Sequence, residues 1–123
     1  MSKDLLVVLP DQPGTLAIMG ETLAEAGVNI DGVSGVAVWD LGWIHILVKD
    51  AARARRALQA AGFEVREERD VLVVPVDDHP GALGVLSRKF AEAGVNVELT
   101  YLATNNRVVF GVNDLERGRA AIA

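Results

Sequence analysis

The stretch DQPGTLAIMGETLAEAGVNID at residues 11–31 returns as DHPGALGVLSRKFAEAGVNVE at 78–98, displaced by a constant 67 residues. Ten of the 21 paired positions are identical. Most of the others exchange like for like, among them Ile18 for Val85, Met19 for Leu86, Ile30 for Val97 and Asp31 for Glu98. A repeat this long is larger than a solenoid unit, so it reads as two copies of one small domain related as a pseudo-dimer. The copies divide the 123 residues into units 1–69 and 70–123, each near the lower size limit for independent folding.

Outward from the repeat, each copy is preceded by a short apolar run, Leu5–Leu9 in the first and Val71–Val76 in the second. Both runs predict strands, and Pro75 places the second at a sheet edge or bulge because proline cannot donate to a ladder. Apolar residues at helical spacing follow, Leu16, Met19 and Leu23 in the first copy and Leu83, Leu86 and Phe90 in the second. They predict two helices with these stripes in the core. Gly27 and Gly94 supply the left-handed residue that ends such helices. Residues 30–39 and 43–48 predict a hairpin around Asp40-Leu41-Gly42, and 97–104 and 107–112 one around Asn105-Asn106 with a shorter turn.

Beyond the hairpins the offset between copies becomes 64, which aligns Asp50, Arg53 and Arg55 with Asp114, Arg117 and Arg119 in a second helix. Phe63–Glu67 alternates as a half-buried strand, whereas the second copy has nothing after its last helix. The order is β-α-β-β-α-β in unit one and β-α-β-β-α in unit two. Right-handed crossovers then place the helices on one face of an antiparallel sheet. The fold class is α+β, two ferredoxin-like units, the second without its final strand. The strand edge left open there is expected to be paired, within the chain or by another subunit.

Composition narrows the function classes. Half the residues are hydrophobic, which builds a core and leaves no sign of disorder. Twelve Lys and Arg against 17 Asp and Glu give a net charge of −5, and the basic residues are scattered, which argues against nucleic acid. An RNA-recognition reading of the same topology would also need an exposed aromatic pair on the central strands. No cysteine is present, so disulfides, thiolate nucleophiles and cysteine metal sites are excluded. Leu5–Leu9, stopped by Pro10, is too short for a signal-peptide core or a membrane span, and a soluble cytoplasmic protein is expected.

The repeated Asp-x-Pro-Gly lies where a strand ends and a helix begins. Proline suits the first helical turn, and Gly14 or Gly81 bends the backbone and exposes its amide. Free amides at the positive end of a helix dipole attract a carboxylate or phosphate, while Asp11 or Asp78 beside them could hold an ammonium group. Together these match the two ends of a free amino acid. A purely structural reading stands beside this one: the aspartates cap their helices, and Asn29 and Asn96 serve the turn after the terminal glycine.

Asp-x-Pro-Gly-x-Leu, the apolar helix stripe, Ala-Glu-Ala-Gly-Val-Asn and the element order, all occurring twice, resemble the ACT domain, a small amino-acid-sensing module of metabolic regulation. The resemblance covers nearly the whole chain and implies a stand-alone tandem ACT protein. It implies ligand contacts at Asp11, Gln12, Pro13, Gly14, Thr15 and Leu16, at Asp78, His79, Pro80, Gly81, Ala82 and Leu83, and at Asn29 and Asn96. In the family the loop of one domain and the Asn region of another share a ligand. Some serine-binding members carry a His two places before the loop Asp or Asn, where this chain has Leu9 and Val76. His79 for Gln12, Ala82 for Thr15 and Tyr101 for Ser34 make two unequal sites.

No catalytic constellation stands out, so no enzymatic activity and no cofactor are expected. His45 and His79 are isolated, and no metal site is expected. Arg53, Arg55 and Arg56 read as a solvated helix face. The expected partner is a small molecule of the amino acid class. No membrane is expected as a partner. Assembly as a homodimer or larger is expected, with a partner enzyme as a further candidate. The alternative function is an interaction module that docks on a metabolic enzyme and keeps only a vestigial ligand site.

Overall fold

The computed structural model describes all residues, 1–123, and the chain divides into two compact units, Met1–Arg69 and Asp70–Ala123. Unit 1 runs β1 (Lys3–Pro10), α1 (Thr15–Glu25), β2 (Gly32–Val38), β3 (Leu41–Val48), α2 (Ala51–Ala60) and β4 (Glu64–Asp70), whose last residue lies at the junction. Unit 2 runs β5 (Leu72–Pro75), α3 (Ala82–Glu92), β6 (Val97–Ala103), β7 (Arg107–Val112) and α4 (Leu115–Ile122), with no strand after it. The strand order is β4-β1-β3-β2 in unit 1 and β6-β7-β5 in unit 2. The registered pairs β1/β3, β2/β3, β5/β7 and β6/β7 are antiparallel. This is the ferredoxin-like pattern in both units, the second shortened by one strand.

Each core follows from strand alternation meeting helix periodicity. In unit 1, Leu5, Val7 and Leu9 of β1 and Ile44, Ile46 and Val48 of β3 point to one side of the sheet. There they pack with Met19 and Leu23 of α1 and Ala51, Ala54 and Leu58 of α2. In unit 2, Leu72, Val108, Phe110 and Val112 pack with Phe90, whose ring meets that of Phe110 edge-on at 4.9 Å. Emptying a site such as Leu58 or Phe90 to alanine costs about 2–5 kcal/mol. The helices α1 and α3 end in matching glycine caps. Gly27 has φ 73° and Gly94 φ 70°, and Val28 and Val95 donate back to the carbonyls of Leu23 and Phe90 at 2.9 Å.

Three sequence expectations are corrected. Leu16 and Leu83 belong to no core: they are 56% and 47% exposed, because they stand in the first helical turn, while Met19, Leu23 and Phe90 carry the burial. The unit 1 turn is Trp39-Asp40, with Val38 opposite Leu41 and φ of 57° and 61°. A two-residue turn with both φ positive matches the strand twist, so Leu41 and Gly42 join the ladder. The unit 2 turn is not the shorter one. It spans Thr104–Asn106, and the lost length falls in the strands, eight residues in β3 against six in β7.

Gly118 lies inside α4, the last helix. It is buried, and a Cβ there would meet Val112 Cγ2 at 3.0 Å and Leu72 Cδ1 at 3.1 Å. Glycine lets α4 lie close against β5 and β7. Pro75 sits at the end of β5 opposite Arg107, and within unit 2 β5 pairs on one side only, with β7.

Candidate functional site

Strand β1 ends on Pro10, and four residues later Gly14 starts α1 in the left-handed region, φ 93° and ψ −16°. Unit 2 repeats this at Gly81, φ 95° and ψ −11°. Neither helix has a side-chain cap, so Asp11 and Asp78 are not capping residues. The capping aspartates are Asp50 and Asp114, which accept from the Arg53 and Arg117 amides at 3.1 Å. Asp11 and Asp78 are exposed beside uncapped helix starts.

The amides at those starts are only partly used. Thr15 donates to the Gln12 carbonyl at 3.4 Å and Ile18 to Gly14 at 2.9 Å. The amides of Gly14, Leu16 and Ala17 remain to meet an anion. In unit 2, Ala82 donates to His79 and Val85 to Gly81, leaving Gly81, Leu83 and Gly84. The Thr15 hydroxyl braces the first loop by donating to the carbonyls of Pro10 at 2.8 Å and Gln12 at 3.1 Å. Ala82 has no such group. His79 Nδ1 lies 2.9 Å from the Pro80 carbonyl.

Each loop borders a cleft within its own unit. In unit 1, Pro10, Asp11, Gln12, Thr15 and Leu16 face a strand wall that includes Leu9, Val33, Gly35, Ala37 and Ile44, around a volume of about 340 Å³. In unit 2, Asp77, Asp78, His79, Ala82 and Leu83 face Leu102, Asn106 and Val108 around about 240 Å³. Pro13, Gly14, Pro80 and Gly81 shape the loops and are exposed. Of the six loop residues singled out in each unit, Asp11, Gln12, Thr15 and Leu16 line the first cleft and Asp78, His79, Ala82 and Leu83 the second.

The asparagines lie elsewhere. Asn29 borders a separate hollow with Asp31, Lys49, Asp50 and Arg53, and its side-chain amide donates to Asp31 Oδ1 at 2.7 Å. The Asn96 backbone amide donates to Asn113 Oδ1 at 2.9 Å. Within a unit, loop and asparagine do not meet. The strand wall is what sequence reasoning missed. Of the substitutions between copies, Ser34 and Tyr101 line neither cleft, and Tyr101 is buried. Gly35 against Leu102 and Gly42 against Asn106 do line them, and aligning the copies would have revealed both.

Away from the clefts, Asp4 is buried on the sheet face opposite the Leu5–Leu9 core, and His45 Nδ1 lies 2.8 Å from its Oδ2. That hydrogen bond raises the His45 pKa above its ordinary 6.5. Burial opposes the rise, Asp4 and Glu67 add to it by charge, and Arg69 lowers it. Arg53 and Arg56 are exposed, whereas Arg55 pairs with Glu68, which also meets Lys3 Nζ at 3.2 Å. No group of three or more His, Cys, Asp or Glu side chains is placed to hold a metal ion. No helix is long and apolar enough to cross a membrane.

Comparison with known proteins agrees with this architecture. A protein from Bacteroides thetaiotaomicron superposes with a TM-score of 0.87 at 27% identity, over 98% of this chain and 85% of that one. The ligand-free regulatory subunit of aspartate kinase from Thermus thermophilus gives 0.73 at 24% identity, over 98% and 86%. The regulatory subunit of aspartate kinase from Thermus flavus gives 0.71 at 22%, over 98% and 89%. At these identities the two Thermus proteins show the fold. Among curated proteins no sequence relative matches. The model of the ACT domain pair matches residues 1–123, and with the duplicated loop, helix and hairpin already described, the chain belongs to the ACT domain pair family.

Proposed function

We propose that this regulatory protein senses a free amino acid at the loop clefts and transmits its binding to a metabolic enzyme. The observation that carries the reading is the left-handed start of α1. It leaves the Gly14, Leu16 and Ala17 amides without a backbone partner next to a cleft lined by Leu16 and Asp11. A helix N-terminus favours the ligand carboxylate, and Asp11 favours the ammonium group at a distance of a few bonds.

A thermal-shift screen against the twenty amino acids tests this. Ligand at a hundred times its Kd stabilises the folded state by about 2.7 kcal/mol, a rise in Tm of roughly 10 °C for a chain of this size. If no amino acid moves the transition, and Asp11→Ala and Asp78→Ala change nothing, sensing is wrong.

The second reading is a docking module. It is favoured by exposed apolar residues repeated in both units, Leu16 and Ile18 of α1 and Leu83 and Val85 of α3. Such residues suit a protein surface, either a second copy or an enzyme. Sedimentation equilibrium would report assembly of the chain with itself, and co-purification a bound enzyme.

A further inference from the structure

We infer that unit 1 holds the working cleft and that it selects an α-amino acid with an uncharged aliphatic side chain. This rests on the amino-acid reading above and adds which copy works and what it accepts.

The two clefts differ at the strand wall. In unit 1, Gly35 lies opposite Ile44 in the β2/β3 ladder, and the equivalent pair in unit 2 is Leu102 opposite Val108. A Cβ on Gly35 would stand 2.6 Å from Ile44 Cδ1, so only glycine leaves the Ile44 side chain where it is. Gly42, the second glycine of this wall, is Asn106 in the copy. Two glycines thus open the unit 1 cleft to about 340 Å³, whereas Leu102 and Asn106 reduce its counterpart to about 240 Å³. Ligand clefts usually measure about 300–1,000 Å³, which includes the first and leaves out the second.

Chemistry separates the clefts further. Asp11 is the one charged residue lining the unit 1 cleft, and the ligand ammonium takes it. The helix start takes the carboxylate. What remains for the side chain is mostly aliphatic, Leu9, Leu16, Val33, Val36, Ala37 and Ile44, beside the uncharged Gln12 and a Thr15 hydroxyl already bonded to the Pro10 carbonyl. A second carboxylate, ammonium or guanidinium would lose its hydration against these residues and gain no opposite charge. Aliphatic carbons gain by burial, about tenfold in affinity for the two methyl groups that distinguish valine from alanine. In unit 2, Asp77, Asp78, His79 and Arg107 surround a cleft of mixed charge.

Isothermal titration calorimetry of the full chain with each of the twenty amino acids tests the inference, run on the wild type, Asp11→Ala, Asp78→Ala, Gly35→Leu and Val33→Asp. Gly35→Leu gives unit 1 the residue that unit 2 carries. Val33 is 52% exposed, so Val33→Asp charges the wall without entering the core. Expected are one valine, isoleucine or leucine bound per chain, alanine about tenfold weaker, and at least about a tenfold loss in Asp11→Ala, Gly35→Leu and Val33→Asp. Preference for a charged amino acid, or loss of binding in Asp78→Ala but not Asp11→Ala, overturns the inference and leaves amino-acid sensing standing. If none of the twenty binds, both fall.

Discussion

The Asp11 amide donates to the Asp40 carbonyl at 3.2 Å, tying the loop before α1 to the turn between β2 and β3. In unit 2 the corresponding tie is made two places earlier, by Val76 to the Asn106 carbonyl at 2.8 Å. Trp39 is 87% exposed and left-handed at φ 57°, a conformation that costs an ordinary L-residue about 1–2 kcal/mol and asparagine less. Trp39→Asn should raise stability by about 1 kcal/mol, read as a higher Tm. An unchanged or lower Tm would mean that the tryptophan makes a compensating contact.

Glycines at superficially similar helix positions should respond with opposite signs. Gly14 and Gly81 have φ of 93° and 95°, so alanine there is strained and should cost about 1–2 kcal/mol. Gly20 and Gly84 lie inside α1 and α3, and a Cβ at either meets nothing within 4 Å. Alanine at those two should stabilise by up to about 1 kcal/mol each. Urea melts of the four single variants check the pattern.

Gly118→Ala sets helix propensity against space. Alanine favours the helix by about 1 kcal/mol, yet its Cβ would crowd Val112 at 3.0 Å and Leu72 at 3.1 Å. Overpacking of this kind costs about 1–3 kcal/mol. The net expectation is lower stability, and a variant more stable than wild type would show that α4 can move away from β5 and β7.

Stability should depend on pH through His45. Its hydrogen bond to Asp4 raises its folded-state pKa above 6.5, so the folded protein binds a proton more tightly than the unfolded chain. The contribution is fully present below about pH 6.5 and is lost as pH rises through the folded-state value. His45→Gln should flatten that slope and cost about 1.5–3 kcal/mol in acid, the worth of a hydrogen bond to a charged group. Denaturant melts of wild type and variant from pH 5 to 9 supply the comparison, and parallel curves would remove His45 from the account.

Much of the fold was legible because duplication states every element twice. Positions kept in both copies, such as Gly27 and Gly94 or Asp50 and Asp114, turn out to end or begin helices. What periodicity could not tell was how far a stripe stays covered. Leu16 and Leu83 keep helical spacing with Met19 and Phe90, yet they lie in the first turn and open to the clefts. The turn at Trp39-Asp40 was hidden because Gly42, the usual turn former nearby, is used in the ladder. The site loops carried a polar signature, whereas the strand wall consists of ordinary apolar residues and two glycines. Its meaning lies in the space between side chains, which emerges only once Gly35 faces Ile44.

The central claim is that amides at the start of α1 receive a ligand carboxylate. Backbone amide chemical shifts, followed by NMR as valine or leucine is titrated into the full chain, test it most directly. The account predicts saturable shifts at Gly14, Leu16 and Ala17 that exceed those at Gly81, Leu83 and Gly84 and that need at least about tenfold more ligand in Asp11→Ala. A saturating ligand that leaves Gly14, Leu16 and Ala17 unmoved while shifting residues elsewhere would contradict it.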